Sequence, residues 1–161
     1  MSDLRDMARD EIERIAVLRR AELLDTPPEE VFDRLTRLAS KLLGAPVAVV
    51  SLVDGDREFI KSSVGLPSDW IGRRKAPRGQ SLAEIAIAAK SAIAIADARV
   101  HPLVKDNPTL SALGAVSYAA VPLLSKNGHA LGSVYVLDKV PRAWTDHEVA
   151  ALTAVAATAE S

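Results

Sequence analysis

The chain has 161 residues, 48% of them hydrophobic, the size and composition of one domain built on a single core. Twenty basic and 21 acidic residues leave a formal net charge of −1, so no global field favours nucleic acid, an anionic membrane or an acidic substrate. There is no cysteine, which removes thiol nucleophiles, disulfides, thiolate metal sites and thioether-linked chromophores together.

The charged N-terminus MSDLRDMARDEIER lacks the apolar segment of a secretory signal, and no apolar run is long enough to span a bilayer. The expectation is a cytoplasmic protein without a nucleic-acid or membrane partner. Residues 3–24 carry Leu4, Met7, Ala8, Ile12, Ile15, Leu18 and Leu23 near helical spacing, which predicts an amphipathic helix. The chain is thus divided into this helix, residues 1–24, and a domain proper, residues 25–161. Pro27 and Pro28 stop the helix, and Thr26 with Glu29 has the spacing of a capping box for the next one. That second helix carries Val31, Phe32, Leu35, Leu38, Ala39 and Leu42 and ends at Gly44.

VAVVSLVDGDREFIKSSVGL reads as a β-hairpin turning at Asp-Gly-Asp, its first strand apolar on both faces and therefore central. PSDWIGRRKAPRGQ reads as a polar linker. Ser81 and Glu84 repeat the capping-box spacing before a short helix through Leu82, Ile85, Ala86 and Ala89. AIAIAD predicts a third strand ending at Asp97, and ARVHPLVKDNPTL a loop with one helical turn. AVSYAAVPLLSKNGHALGSVYVLD is a second hairpin around Asn127-Gly128. Thr145 and Glu148 then open a final helix bearing Val149, Leu152, Val155, Ala156 and Ala159. Hairpins without βαβ alternation predict the α+β class with an antiparallel sheet.

LLDTPPEEVFDRLTRLASKLLGAPVAVVSLVDGDREFIKSSVGL, then IADARVHPLVKDNP, then YAAVPLLSKNGHALGSVYVLDKVPRAWTDHEVAAL resemble, in that order, the GAF domains of bacterial signalling proteins. The resemblance implies a central antiparallel sheet of five or six strands. It also implies terminal helices on one face that often build a dimer, and a small-molecule pocket among short helices and loops on the other. The function implied is sensory or regulatory, with a kinase, cyclase, phosphodiesterase or phosphatase as effector, and with no catalytic constellation in the sequence the expectation is a non-enzymatic module. The sequence departs from the pattern where many relatives have Cys-Ala-His, since residues 82–86 hold neither cysteine nor histidine. The lack of cysteine anywhere in the chain excludes covalent bilin attachment, and this departure argues against haem ligation from the segment, leaving a cyclic nucleotide or another small anion as the ligand class to test. Val100 and His101 stand where close relatives usually have an acidic residue before proline.

Candidate ligand contacts follow from residue type and place. Arg78 runs into the helix capped by Ser81 and Glu84, and basic groups beside a helix start suit an anion. Trp70 lies in the linker, where it could close over a ligand, and Tyr118 offers an apolar ring with a polar tip. Asp97 ends a strand beside the loop that carries His101. Each has an ordinary alternative: solvation for the arginine, capping for Ser81, core burial for Tyr118 and loop fixing for Asp97. His101, His129 and His147 show no metal-ligand spacing, and no nucleophile with a partnered base appears. The rival function is a ligand-free dimerisation domain whose pocket is filled by its own side chains.

Overall fold

The strand expected at the centre, Val47–Val53 (β1), is buried almost throughout and lies between two antiparallel neighbours. A computed structural model describes residues 2–159; Met1, Glu160 and Ser161, at the ends of the two predicted segments, lie outside the described residues. The elements are α1 (Ser2–Arg20), α2 (Glu30–Leu43), β1, β2 (Arg57–Val64), α3 (Ser68–Arg73) and β3 (Lys75–Pro77). After them come a 3-10 turn (Arg78–Gln80), α4 (Ala83–Ala89), β4 (Ile93–Ile95), α5 (Pro108–Leu113), β5 (Ser117–Leu124), β6 (Ala130–Asp138) and α6 (Asp146–Thr158). The six strands form one antiparallel sheet in the order β3-β2-β1-β6-β5-β4.

Strand alternation sends side chains to two separate cores. Ala48, Val50 and Leu52 meet Val134 and Val136 beneath α2, α6 and Leu18 of α1. Val49 and Val53 join Tyr118, Tyr135, Leu82 and Ala86 beneath α4 and α5. Tyr118 therefore faces α4, while its neighbour Ser117 falls on the opposite side. Gly132 is required where β6 crosses β1, since a Cβ there would stand 1.8 Å from the Ser51 carbonyl oxygen.

Three local expectations are corrected. The first helix ends at Arg20, not Leu24, because Glu22 takes a left-handed conformation (φ 57°) and turns the chain. Thr26 does not cap α2, which starts only at Glu30; its hydroxyl donates to the Leu23 carbonyl and accepts from Lys61. The expected linker folds into α3 and β3, the latter placing Ala76 opposite Glu58 and leaving Pro77 on the sheet edge, where a missing N–H costs nothing.

Candidate functional site

The α4 face is organised around Glu58. The side chain shares the inner face of β2 with Ile60 and is 2% exposed. Four donors converge on its carboxylate: Ser81 Oγ at 2.6 Å and the Ala83 amide at 3.1 Å on Oε1, with Ser51 Oγ and Tyr135 Oη at 2.7 Å on Oε2. Among the described residues no cation pairs with it. Neutral donors therefore offset the desolvation of this charge. One of them is the first backbone amide of α4, so the same carboxylate pins that helix to β1, β2 and β6. Tyr118 donates to the Leu82 carbonyl immediately before α4, and its ring stands 5.8 Å from that of Tyr135. Burial first, and the charge of Glu58 second, pushes both phenols well above their usual range.

Ser81 serves two partners. Its hydroxyl accepts from the Glu84 amide at 3.1 Å while donating to Glu58. The Glu84 side chain does not turn back to complete a capping box; it meets Arg78, whose Nη2 donates to its two oxygens at 3.1 and 3.2 Å. The other Arg78 nitrogen, Nη1, donates to Glu11 of α1. Glu11 is also forked by Arg14, with both bonds at 3.0 Å, and Arg14 reaches the Val53 carbonyl at 2.6 Å. The Arg14 hydrogen bonds, then those of Arg78, hold the Glu11 carboxyl down to about 2 against the opposing pull of burial.

The structure thus gathers four of the sequence candidates, Arg78, Ser81, Glu84 and Tyr118, at the start of α4. Trp70 packs half-buried against the same apolar cluster, with the Arg73 guanidinium 4.4 Å from its ring centre. Asp97 and His101 make no hydrogen bond to this group. Asp97 accepts from the Arg99 side chain and from its amide at 3.0 Å, fixing the loop, and His101 Nδ1 accepts from the Leu103 amide at 3.2 Å. Among the described residues no cluster of histidine and carboxylate side chains could hold a metal ion.

Open space lies beside this centre and not within it. A cleft of about 60 Å³ sits where Pro46, Gly65 and Pro67 face Leu113 and Ala115. A larger one, about 380 Å³, lies on the other layer between α2 and the part of β2 that β3 leaves uncovered, lined by Asp33, Thr36, Ser62 and Arg74. Small-molecule pockets usually measure about 300–1,000 Å³, so the second has room for a ligand and the first does not. Beside the larger cleft the Lys61 side chain is wholly buried, donating to Thr26 and to the Pro27 carbonyl at 2.9 Å, with Glu29 at 2.5 Å.

Sequence reasoning missed Glu58, Glu11, Arg14 and Lys61. For Glu58 a signal existed: strand alternation puts it on the same face as Ile60. Lys61 offered none, because the register shift between β1 and β2 occurs at its position and breaks the alternation.

Residues 27–161 match the family model described as GAF domain, and the chain belongs to that family. A cyclic di-GMP phosphodiesterase of Pseudomonas aeruginosa is 33% identical over 134 residues, 83% of this chain but only 22% of that protein's length. Among solved structures, the GAF domain of an Acinetobacter phosphoenolpyruvate-protein phosphotransferase superposes with a TM-score of 0.65 at 14% identity, covering 91% of this chain and 88% of that one. The blue-light-absorbing PixJ GAF domain of Thermosynechococcus elongatus gives 0.62 at 17% identity, covering 78% of each chain. These likenesses show the fold.

Proposed function

We propose that the chain is a non-catalytic regulatory module of a cytoplasmic signalling protein, one that senses a small molecule at the α4 face and passes its state to partners through the terminal helices. The form of α1 carries this reading. Its second half is built into the domain through Leu18 and Arg14, whereas every described side chain of residues 4–10 is exposed, apolar Leu4 and Met7 included. A helix half-docked and half-projecting can report on the domain to whatever binds its free half. The effector is a signalling enzyme of the phosphodiesterase, kinase, cyclase or phosphatase kind, and the Pseudomonas relative makes a cyclic di-GMP phosphodiesterase the first to test. The module works as a homodimer in this reading, and cyclic nucleotides and other small anions are the first ligands to try, since Arg73 and Arg78 border the face.

One observation favours a second reading, a ligand-free assembly domain: Tyr118, Tyr135 and Leu82 occupy the space that a ligand would need. A thermal-shift screen with cyclic nucleotides, free nucleotides, amino acids, haem and bilin separates the two. A ligand at a hundred times its Kd adds about 2.7 kcal/mol, or roughly 5 to 11 °C for a domain of this size. Silence across the screen, repeated by calorimetry, replaces the sensing reading with the assembly one.

A further inference from the structure

Arg78 is, among the described residues, the one side chain hydrogen-bonded both to α1 and to α4. Its backbone is fixed, since the Arg78 amide donates to the Asp56 carbonyl at 3.0 Å. The guanidinium is 22% exposed and lies between carboxylates 34% and 31% exposed, sheltered enough for its planar fork to hold both in one geometry. Beyond Glu11 the chain of alternating charge continues to Arg14, whose side chain is only 7% exposed and which also donates to the Ala130 carbonyl at 3.3 Å. Four charged groups in sequence, Glu84, Arg78, Glu11 and Arg14, therefore run from the helix that closes the α4 face to the helix that leaves the domain.

We propose that Arg78 is the positioning residue that couples α1 to α4, so that displacement of α4 releases α1 at Glu11, the point where its projecting half meets the domain. The cause is geometric. Anything entering between α4 and the tyrosines must lift Ser81 and the Ala83 amide from Glu58, and Glu84, one residue further on, moves with them. Arg78 then loses its two bonds to Glu84, and its grip on Glu11 is left to Nη1, which otherwise meets only the Asp54 and Gly55 carbonyls, each at 3.4 Å. No other described polar contact ties residues 4–11 of α1 to the domain. The C-terminal end of α1 stays fixed, because the connector after it is strapped to β2: Asp25 accepts from both Arg57 nitrogens at 2.7 and 2.6 Å, and Arg74 donates to the Thr26 carbonyl at 2.8 Å. The helix consequently pivots and does not detach. Linkage makes the effect reciprocal, so a partner that seizes α1 loosens α4 to the same extent. The inference rests on the regulatory reading for what the coupling serves, but the coupling is a property of the unliganded chain.

Hydrogen exchange on the whole chain without ligand tests it. Glu84→Ala touches nothing on α1, yet exchange of the amides in the first half of α1 should rise about three- to tenfold, in the lower part of the range of couplings found between groups of one charge network. In an Arg78→Ala background the same substitution should change α1 no further. Glu11→Ala should raise exchange in α4 by a matching factor, which supplies the test if Arg78→Ala folds poorly. Wild-type exchange in α1 of Glu84→Ala, or an equal effect of that substitution with Arg78 absent, overturns the proposal. A silent ligand screen leaves it standing, and uncoupled helices leave ligand binding standing, so the two readings fail separately.

Discussion

Tyr118 and Tyr135 are the only tyrosines in the chain, and both are buried against Glu58 and the start of α4. Burial first, and the Glu58 carboxylate second, oppose the ionisation of either phenol, and among the described residues no cation stands beside them to offset it. Their folded-state values therefore lie well above the unfolded one, which is near 10. The sign follows. Below about pH 10 both states keep their phenolic protons and the stabilisation is fully present; as pH rises further the unfolded chain releases protons first, and stability falls. Alkaline titration should show no phenolate absorbance while the protein is folded. Both phenols should then appear in one step that coincides with loss of the far-ultraviolet circular dichroism signal. A phenol that ionises in the folded protein would mean that the α4 face is open to water.

At the scale of elements, three sequences with the same spacing had three outcomes. Thr145 and Glu148 form the complete capping box, each bonding the other's backbone at 3.0 Å. Ser81 keeps its bond to the Glu84 amide, but Arg78 takes the glutamate side chain. Thr26 is taken by Lys61, and α2 begins without any side-chain cap. Local spacing was sufficient only where an oxygen was left for it: Arg142, six residues before Glu148, takes Oε2 alone and leaves Oε1 to the Thr145 amide, whereas Arg78, six residues before Glu84, takes both oxygens, and Thr26 is claimed by Lys61 from β2. The strands were legible for the complementary reason: alternation of Val49, Val53, Tyr118 and Tyr135 against Val50, Leu52, Val134 and Val136 already specifies two faces. The site was legible in part. Arg78, Ser81, Glu84 and Tyr118 could be named, but their meeting point, Glu58, looked like one more charge beside a hairpin turn. Two substitutions read this difference. Thr145→Ala should cost about 0.5–2 kcal/mol in urea unfolding through the lost cap. Thr26→Ser, which keeps the hydroxyl that Lys61 needs, should cost less than Thr145→Ala, and a larger loss would mean that the Thr26 methyl and not its hydroxyl holds the strap.

At the scale of the whole molecule the open matter is what the free half of α1 meets. Leu4, Met7 and Ile12 are 67%, 63% and 69% exposed, although they lie on the side of the helix that carries Ile15 and Leu18 into the domain. An apolar stripe that begins in the core and runs on into water is completed by a second surface, and in a homodimer that surface is the same stripe of a second chain. Removing residues 1–24 would test this poorly, because it also strips Leu18 from the core, where it is fully buried, and Arg14 from the strand ends. Replacing Leu4, Met7 and Ile12 together by glutamate spares those contacts. Light scattering should then give about twice 17.1 kDa for the natural chain and 17.1 kDa for the triple variant, with the far-ultraviolet spectrum unchanged. A natural chain that weighs a single copy at every concentration removes the homodimer from the proposal and leaves α1 for an effector. A triple variant that still weighs two copies places the dimer contact on another surface, for which the outward row of Val31, Leu38 and Leu42 on α2 is the exposed apolar alternative.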